Sequence, residues 1–278
     1  MREILLSVWR HPTGRIGLVL VVLILVMGIA PQLLAPYAPN KLSVMERFAS
    51  PSWTHIMGTD QLGRDLFSRL LYGTQIALVV ALSTIGIALC IGTLLGVAAA
   101  YAPGWVSKII LTAFDIINSF PSLIFALAIV ALLGPGLEKV VLIVSITLIP
   151  HFGRVARAQT LALKNAPFLE AERVLGAGKM RILFHHIIPN IMGPLVVLAS
   201  MDIPVVITIE AGLSFLGVGV PPPAASWGTL LNDGYVNLSQ SAWPVVFAGL
   251  FLTIATLAFT LFGEALRDAI DPKLKSRQ

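Results

Sequence analysis

Apolar residues run almost unbroken through long stretches of the chain, and the polar positions mark where those stretches end. A helix needs about 20 mostly apolar residues to cross about 30 Å of hydrocarbon. Uncharged windows of that kind cover residues 17–34, 76–100, 116–133, 182–201 and 244–263. A sixth window is weaker, because only 14 uncharged residues separate Lys139 from Arg154. A span there has to reach from about residue 137 to residue 157, with Arg154 and Arg157 extending to one interface. The pattern therefore predicts six membrane-spanning helices. Residues 35–73 read as a long, proline-punctuated loop. Residues 212–243 carry Asp233 as their only charge and PPP at 221–223, which argues against one simple helix.

Between the fourth and fifth windows the polar residues return in FLEAERVLGAGKMRILFHHIIPN, residues 168–190. Pro167 suits the first turn of a helix, where its missing N–H costs nothing, and Glu170 and Glu172 lie near the positive end of the helix dipole. A short helix over about 167–175 follows. Phe168, Ala171 and Leu175 fall at i, i+3 and i+7 and form one apolar stripe, while Glu170, Glu172 and Arg173 stay polar. Gly176 and Gly178 supply the terminating turn. Such a helix either rests in the lipid interface or docks on a soluble partner. Interfacial helices favour a basic polar face, whereas this one sets two carboxylates against one arginine, which points to protein.

Composition agrees with the pattern. Hydrophobic residues make up 56% of the 278, charged residues only 12%, and the mean hydropathy is +0.87, all outside the range of a soluble globular domain. The first apolar run lacks a small-residue cleavage site and runs into Pro36, Tyr37 and Pro39, so the first span is expected to remain. The single cysteine, Cys90, excludes an internal disulfide and a cysteine-based metal cluster. The net charge of +5 does not indicate nucleic acid, because the basic residues sit at the ends of apolar windows. With the N-terminus inside, fourteen of the nineteen Lys and Arg fall on the inner segments. That bias predicts cytoplasmic termini and places 168–190 inside.

Candidate chemistry is sparse. LGAGKM is a near miss for a phosphate-binding loop: the first glycine would fall at Arg173, and Met180 follows Lys179. His185 and His186 are adjacent on a helix and point about 100° apart, a poor chelating pair. No HExxH occurs, and GLSFL has Leu216 where a GxSxG motif needs glycine. Asp202 and Glu210 follow one another, eight residues apart, in a strongly apolar region. Acids inside a span are costly and are functional candidates, against the alternative of polar contacts between helices. Their directions differ by about 80°, so they could border one cavity. Asp115 sits close enough to a span end to be solvated. Gly92 and Gly96 form GxxxG, which permits close helix approach. For the Gly58 to Asp65 segment, GTDQLGRD, local ion pairing of Asp60, Arg64 and Asp65 is favoured over ligand binding.

Several of these stretches together resemble a known family. Glu170, Ala171, Gly176 six residues after Glu170, and Ile188-Pro189 look like the EAA loop of bacterial ABC importer permeases, with Glu172 where a second alanine is usual. MGTDQLGRDLFSRLLYG (57–73), FPSLIFALAIVALLGPGLE (120–138), EAGLSFLGVGVPPPAASWG (210–228) and LRDAIDPK (266–273) resemble the C-type permease subunit of dipeptide, oligopeptide and nickel importers. The resemblance implies an all-α type I importer permease with six spans. Its segments are 1–73 (N-terminus, first span, long loop), a core over 74–267 and a cytoplasmic tail over 268–278. It implies a B-type permease partner, two ATP-binding cassette subunits and an extracytoplasmic solute-binding protein, in a bacterial cell membrane. ATP and magnesium are expected on the partner subunits, with no cofactor and no catalysis on this chain. Phe168, Glu170, Ala171, Arg173, Leu175 and Gly176 are then the expected ATPase-coupling residues, and Asp202 and Glu210 candidates for the translocation path. The competing expectation is an ion-coupled transporter with Asp202 and Glu210 relaying protons.

Overall fold

The computed structural model of the chain describes residues 6–9 and 11–270. Arg2, Arg10 and residues 271–278, which hold most of the expected tail, lie outside the described residues. The ordered elements are helices: α1 (Pro12–Ile29), α2 (Leu66–Tyr101), α3 (Gly104–Asn118), α4 (Ser122–Leu133), α5 (Leu137–Leu163), α6 (Pro167–Val174), α7 (Lys179–Phe215), α8 (Trp227–Val236) and α9 (Trp243–Ile270). Among the described residues the only β pairing is an isolated bridge between Thr59 and Asp65.

Five helices, α1, α2, α5, α7 and α9, are each long and apolar enough to span a membrane. Their outer surfaces carry Ile16, Val19 and Val22 on α1, Leu82 on α2 and Leu250 on α9, all exposed. An apolar surface of that extent requires lipid or another chain to cover it. The window at 116–133 does not form one straight helix. It is broken at Ser119-Phe120-Pro121, and α3 and α4 meet at 86°. Pro121 has no N–H to continue the ladder and pushes Phe120 out of the helical region. At 12 residues α4 reaches only about 18 Å. Six spans result when this bent pair is taken as one.

Other boundaries shift for local reasons. α1 starts at Pro12 and stops at Ile29, and Pro31 opens a separate turn, Pro31–Leu34. α2 begins eight residues inside the stretch read as loop, because Asp65 caps it by accepting from the Ser68 N–H at 2.8 Å. Its 36 residues measure about 54 Å. α7 runs on past Asp202 and Glu210, which are buried in the protein. The proline-rich segment contains α8, held by a capping box between Ser226 and Thr229. Trp227 on α8 is buried and donates its indole N–H to the Leu70 carbonyl at 3.2 Å.

The most extensive contact between helices is α2 against α5, and it passes Gly92, Gly96 and Gly153. A Cβ at Gly92 would lie 2.7 Å from the Ile149 carbonyl oxygen, and one at Gly96 would overlap the Gly153 carbonyl oxygen. On α1, Gly14 and Gly17 give the same close approach to Ala265 and to Leu261 and Phe262 of α9. The N-terminal end of α1 therefore lies beside the C-terminal end of α9. Ile270 in turn reaches Gly193 in the first half of α7, so the described ends of α1 and α9 lie toward the end of the bundle that carries α6. The 35–65 loop and α8 occupy the opposite end.

Candidate functional site

α6 projects from the bundle between α5 and α7. Pro167 opens it and Glu170 stands in its first turn, with Arg173 in its last. It ends in a turn that satisfies two last-turn carbonyls: Gly176 N–H donates to Arg173 O and Ala177 N–H to Glu172 O, each at 3.0 Å. That pattern needs a left-handed residue, and Gly176 has φ +85°. Gly178 is not part of the stop; its φ of −69° makes it the start of α7.

All six expected coupling residues lie on the exposed surface of this knob. Phe168 is 44% exposed, Leu175 82% and Val174 87%, so the apolar stripe points away from the bundle and Val174 extends it. The anchor is Leu169, which is fully buried and shares the hydrophobic core with Ile182 and Ile187. Those two residues bound a π-helical stretch, Ile182–Ile187, at the base of α7. Glu172, where the family pattern usually has alanine, turns inward, with its Oε1 3.5 Å from His186 Nε2. Arg173 donates to the Lys164 carbonyl at 2.8 Å and ties α6 to the end of α5. His185 and His186 form no chelate. Among the described residues no group of three His, Cys, Asp or Glu side chains could hold a metal.

A second polar locus lies halfway along the bundle. Asp202 is buried and its Oδ2 stands 3.1 Å from His151 Nδ1, off-line for a hydrogen bond and with no other partner. His151 sits at the centre of α5 with its side chain 48% exposed. One turn away on the same face, Arg154 pairs with Asp115 of α3 at 2.6 Å rather than extending alone to the interface. A half-exposed histidine and ion pair are not tolerated against lipid, so this face of α5 meets water or another protein chain. Sequence reasoning missed His151, which is formally neutral and left the window looking uncharged. The available signal was that α5 is the least apolar of the spanning helices, at a hydropathy of 1.5 against 1.9 to 2.4 for the other four.

Glu210 does not open onto that face. It is fully buried, accepts from the Ser214 hydroxyl at 2.7 Å, and lies where α8 crosses α7, with Gly228 against Ala211 and Ser214. At the same end the Gly58 to Asp65 segment forms the expected pair between Asp60 and Arg64, while Asp65 turns instead to His55 and Ser68. Asp60 accepts from Arg64 Nε at 2.7 Å and from the N–H groups of Leu62 and Arg64. Asp65 also accepts from Ser68, and its other oxygen lies 2.8 Å from His55 Nδ1.

The family described as binding-protein-dependent transport system inner membrane component matches residues 92–276, more than half of the chain. A dipeptide transport system permease protein of Alkalihalophilus pseudofirmus is 35% identical over 275 residues, 99% of this chain and 90% of that protein. A di/tripeptide transport system permease protein of Pseudomonas aeruginosa is 38% identical over 96% of this chain and 90% of its own length. A glutathione transport system permease protein of Pectobacterium atrosepticum is 40% identical over 92% and 85%. Among solved structures, an inward-facing form of the MetNI methionine ABC transporter contains a chain of the same fold, with a TM-score of 0.59 at 19% identity, covering 74% of this chain and 96% of that one. The all-α type I importer permease fold expected from the sequence is therefore the fold observed.

Proposed function

Because the chain belongs to the family of binding-protein-dependent transport system inner membrane components, we propose that it is one of two permease subunits of an ATP-driven importer of peptides or a related small solute. In this reading α6 docks on a cytoplasmic ATPase. The face of α5 and α7 that carries His151 and Asp202 lines the path shared with the second permease. An external binding protein delivers the solute at the end that carries α8. The charge bias supports that orientation, with Arg15, Lys164, Arg173, Lys179, Arg181 and Arg267 at or near the α6 end.

The observation that carries the proposal is α6 itself: a helix whose apolar stripe faces outward while Leu169, buried in the core it shares with Ile182 and Ile187, and Glu172, beside His186, turn inward where α6 meets the π stretch of α7. An interfacial helix of the same length has no need of that link. A partner that pushes on Phe168, Ala171 and Leu175 moves Leu169, and Leu169 moves the base of α7. The ion-coupled alternative needs Asp202 and Glu210 to exchange protons, yet Glu210 is enclosed and lies about 12 Å further along α7.

The test is to purify the complex through its ATPase subunits. Burying a Phe or Leu side chain is worth about 1.5 to 3 kcal/mol, so Phe168→Ala should weaken docking by roughly tenfold or more. Ala171→Asp should be worse, because it leaves an unpaired carboxylate in the contact. If Ala171→Asp keeps full subunit recovery and full uptake, α6 is not the coupling element.

A further inference from the structure

At the end of the bundle opposite α6, a cavity of about 380 Å³ lies between the 60–64 segment, the first turn of α2, the end of α7 and α8. That is within the range of small-molecule sites. Its wall carries Arg64 and Arg69, which are 8% and 2% exposed. Both depend on one buried carboxylate. Asp60 Oδ2 accepts from Arg64 Nε at 2.7 Å and stands 3.4 Å from Arg69 Nε, and its Oδ1 is committed to two backbone N–H groups. Arg69 Nε has no hydrogen-bond partner, and Nη1 makes only long bonds to the Pro39 carbonyl and Asn40 Oδ1, at 3.3 and 3.4 Å. The other acid, Asp233, is a third exposed on the cavity wall and stays 3.8 Å from Arg64 Nη2.

Two buried guanidiniums thus share one buried carboxylate, with unused donors and only the partly exposed Asp233 to balance the second charge. Leaving such donors dry is costly, and a guanidinium is built to take a carboxylate through two N–H groups. We infer that this cavity is a carboxylate-binding subsite of the permease, taking the free carboxylate of an arriving zwitterionic solute, with Asp233 as the counter-charge for its ammonium group. The inference rests on the importer reading above, which puts this end outside the cell. The same chemistry could come from an acidic side chain of the external binding protein, and the two sources separate experimentally.

The probe is alanyl-alanine against its C-terminal amide, applied to the full complex in lipid nanodiscs without ATP. In a Cys90→Ser background, Gln61→Cys places a thiol on the cavity wall, and its rate of reaction with a water-soluble maleimide is measured. The dipeptide should slow labelling at least threefold and the amide should not. Arg69→Gln should abolish the protection. Protection by unliganded binding protein alone, lost in Arg69→Gln, keeps the carboxylate site and assigns its source to that protein. Equal protection by dipeptide and amide, or none from dipeptide or binding protein, overturns the inference. Neither ATPase docking nor uptake enters the measurement, so a negative result leaves the importer reading standing.

Discussion

His151 and Asp202 form a pair that neither residue would sustain alone. The buried carboxylate has the half-exposed imidazole 3.1 Å away as its one polar neighbour, and an acid at that depth is kept only where it faces a polar partner or a cavity. Asp202→Asn keeps the size and removes the charge. Uptake should fall severalfold with normal recovery of the ATPase subunits, as measured in vesicles; unchanged uptake of several substrates would reduce the pair to a link between α5 and α7. Asp202 was legible in the sequence because an acid stands out in an apolar window. His151 was not, because a histidine leaves such a window uncharged and its meaning depends on a residue 51 positions away. Leu169 escaped for another reason. In a helix of eight residues both an outward and an inward apolar position satisfy the periodicity, and only the fold decides which is buried.

At the level of elements, the glycines of α2 and α5 let two backbones approach where larger residues would hold them apart. Gly92 and Gly96 were visible as GxxxG, but Gly153, which completes the contact and receives the Phe114 ring on its other side, carried no signal of its own. Gly96→Leu should force α2 from α5, at a cost of about 1–3 kcal/mol or more. A lower thermal midpoint of the detergent-solubilised chain, read by size-exclusion recovery after heating, checks it; an unchanged midpoint would mean the helices separate freely. The long spans were read correctly because runs of apolar residues outweigh local detail. Their ends were not, since caps such as Asp65 and breaks such as Pro121 depend on two or three residues. The helix α8 was hidden in a proline-rich stretch whose Ser226 and Thr229 cap it only once folded.

For the molecule as a whole, the described ends of α1 and α9 lie together at the end that carries α6. A reporter active only outside the cytoplasm, fused after Gln278, should therefore be silent, and strong activity would invert the orientation. The two ends of the bundle are joined by α2, about 54 Å long where a bilayer requires about 30 Å. Its tightest contact, at Gly92 and Gly96, lies near one extremity. Measured from there, one arm is about 10 Å and the other, which carries the 35–65 loop and supports Trp227, is about 42 Å. A rigid tilt of the helix about that contact that moved the short end by about 1 Å would move the far end by about 4 Å. In the importer reading, a small shift beside α6 would reach the opposite end of α2 enlarged about fourfold.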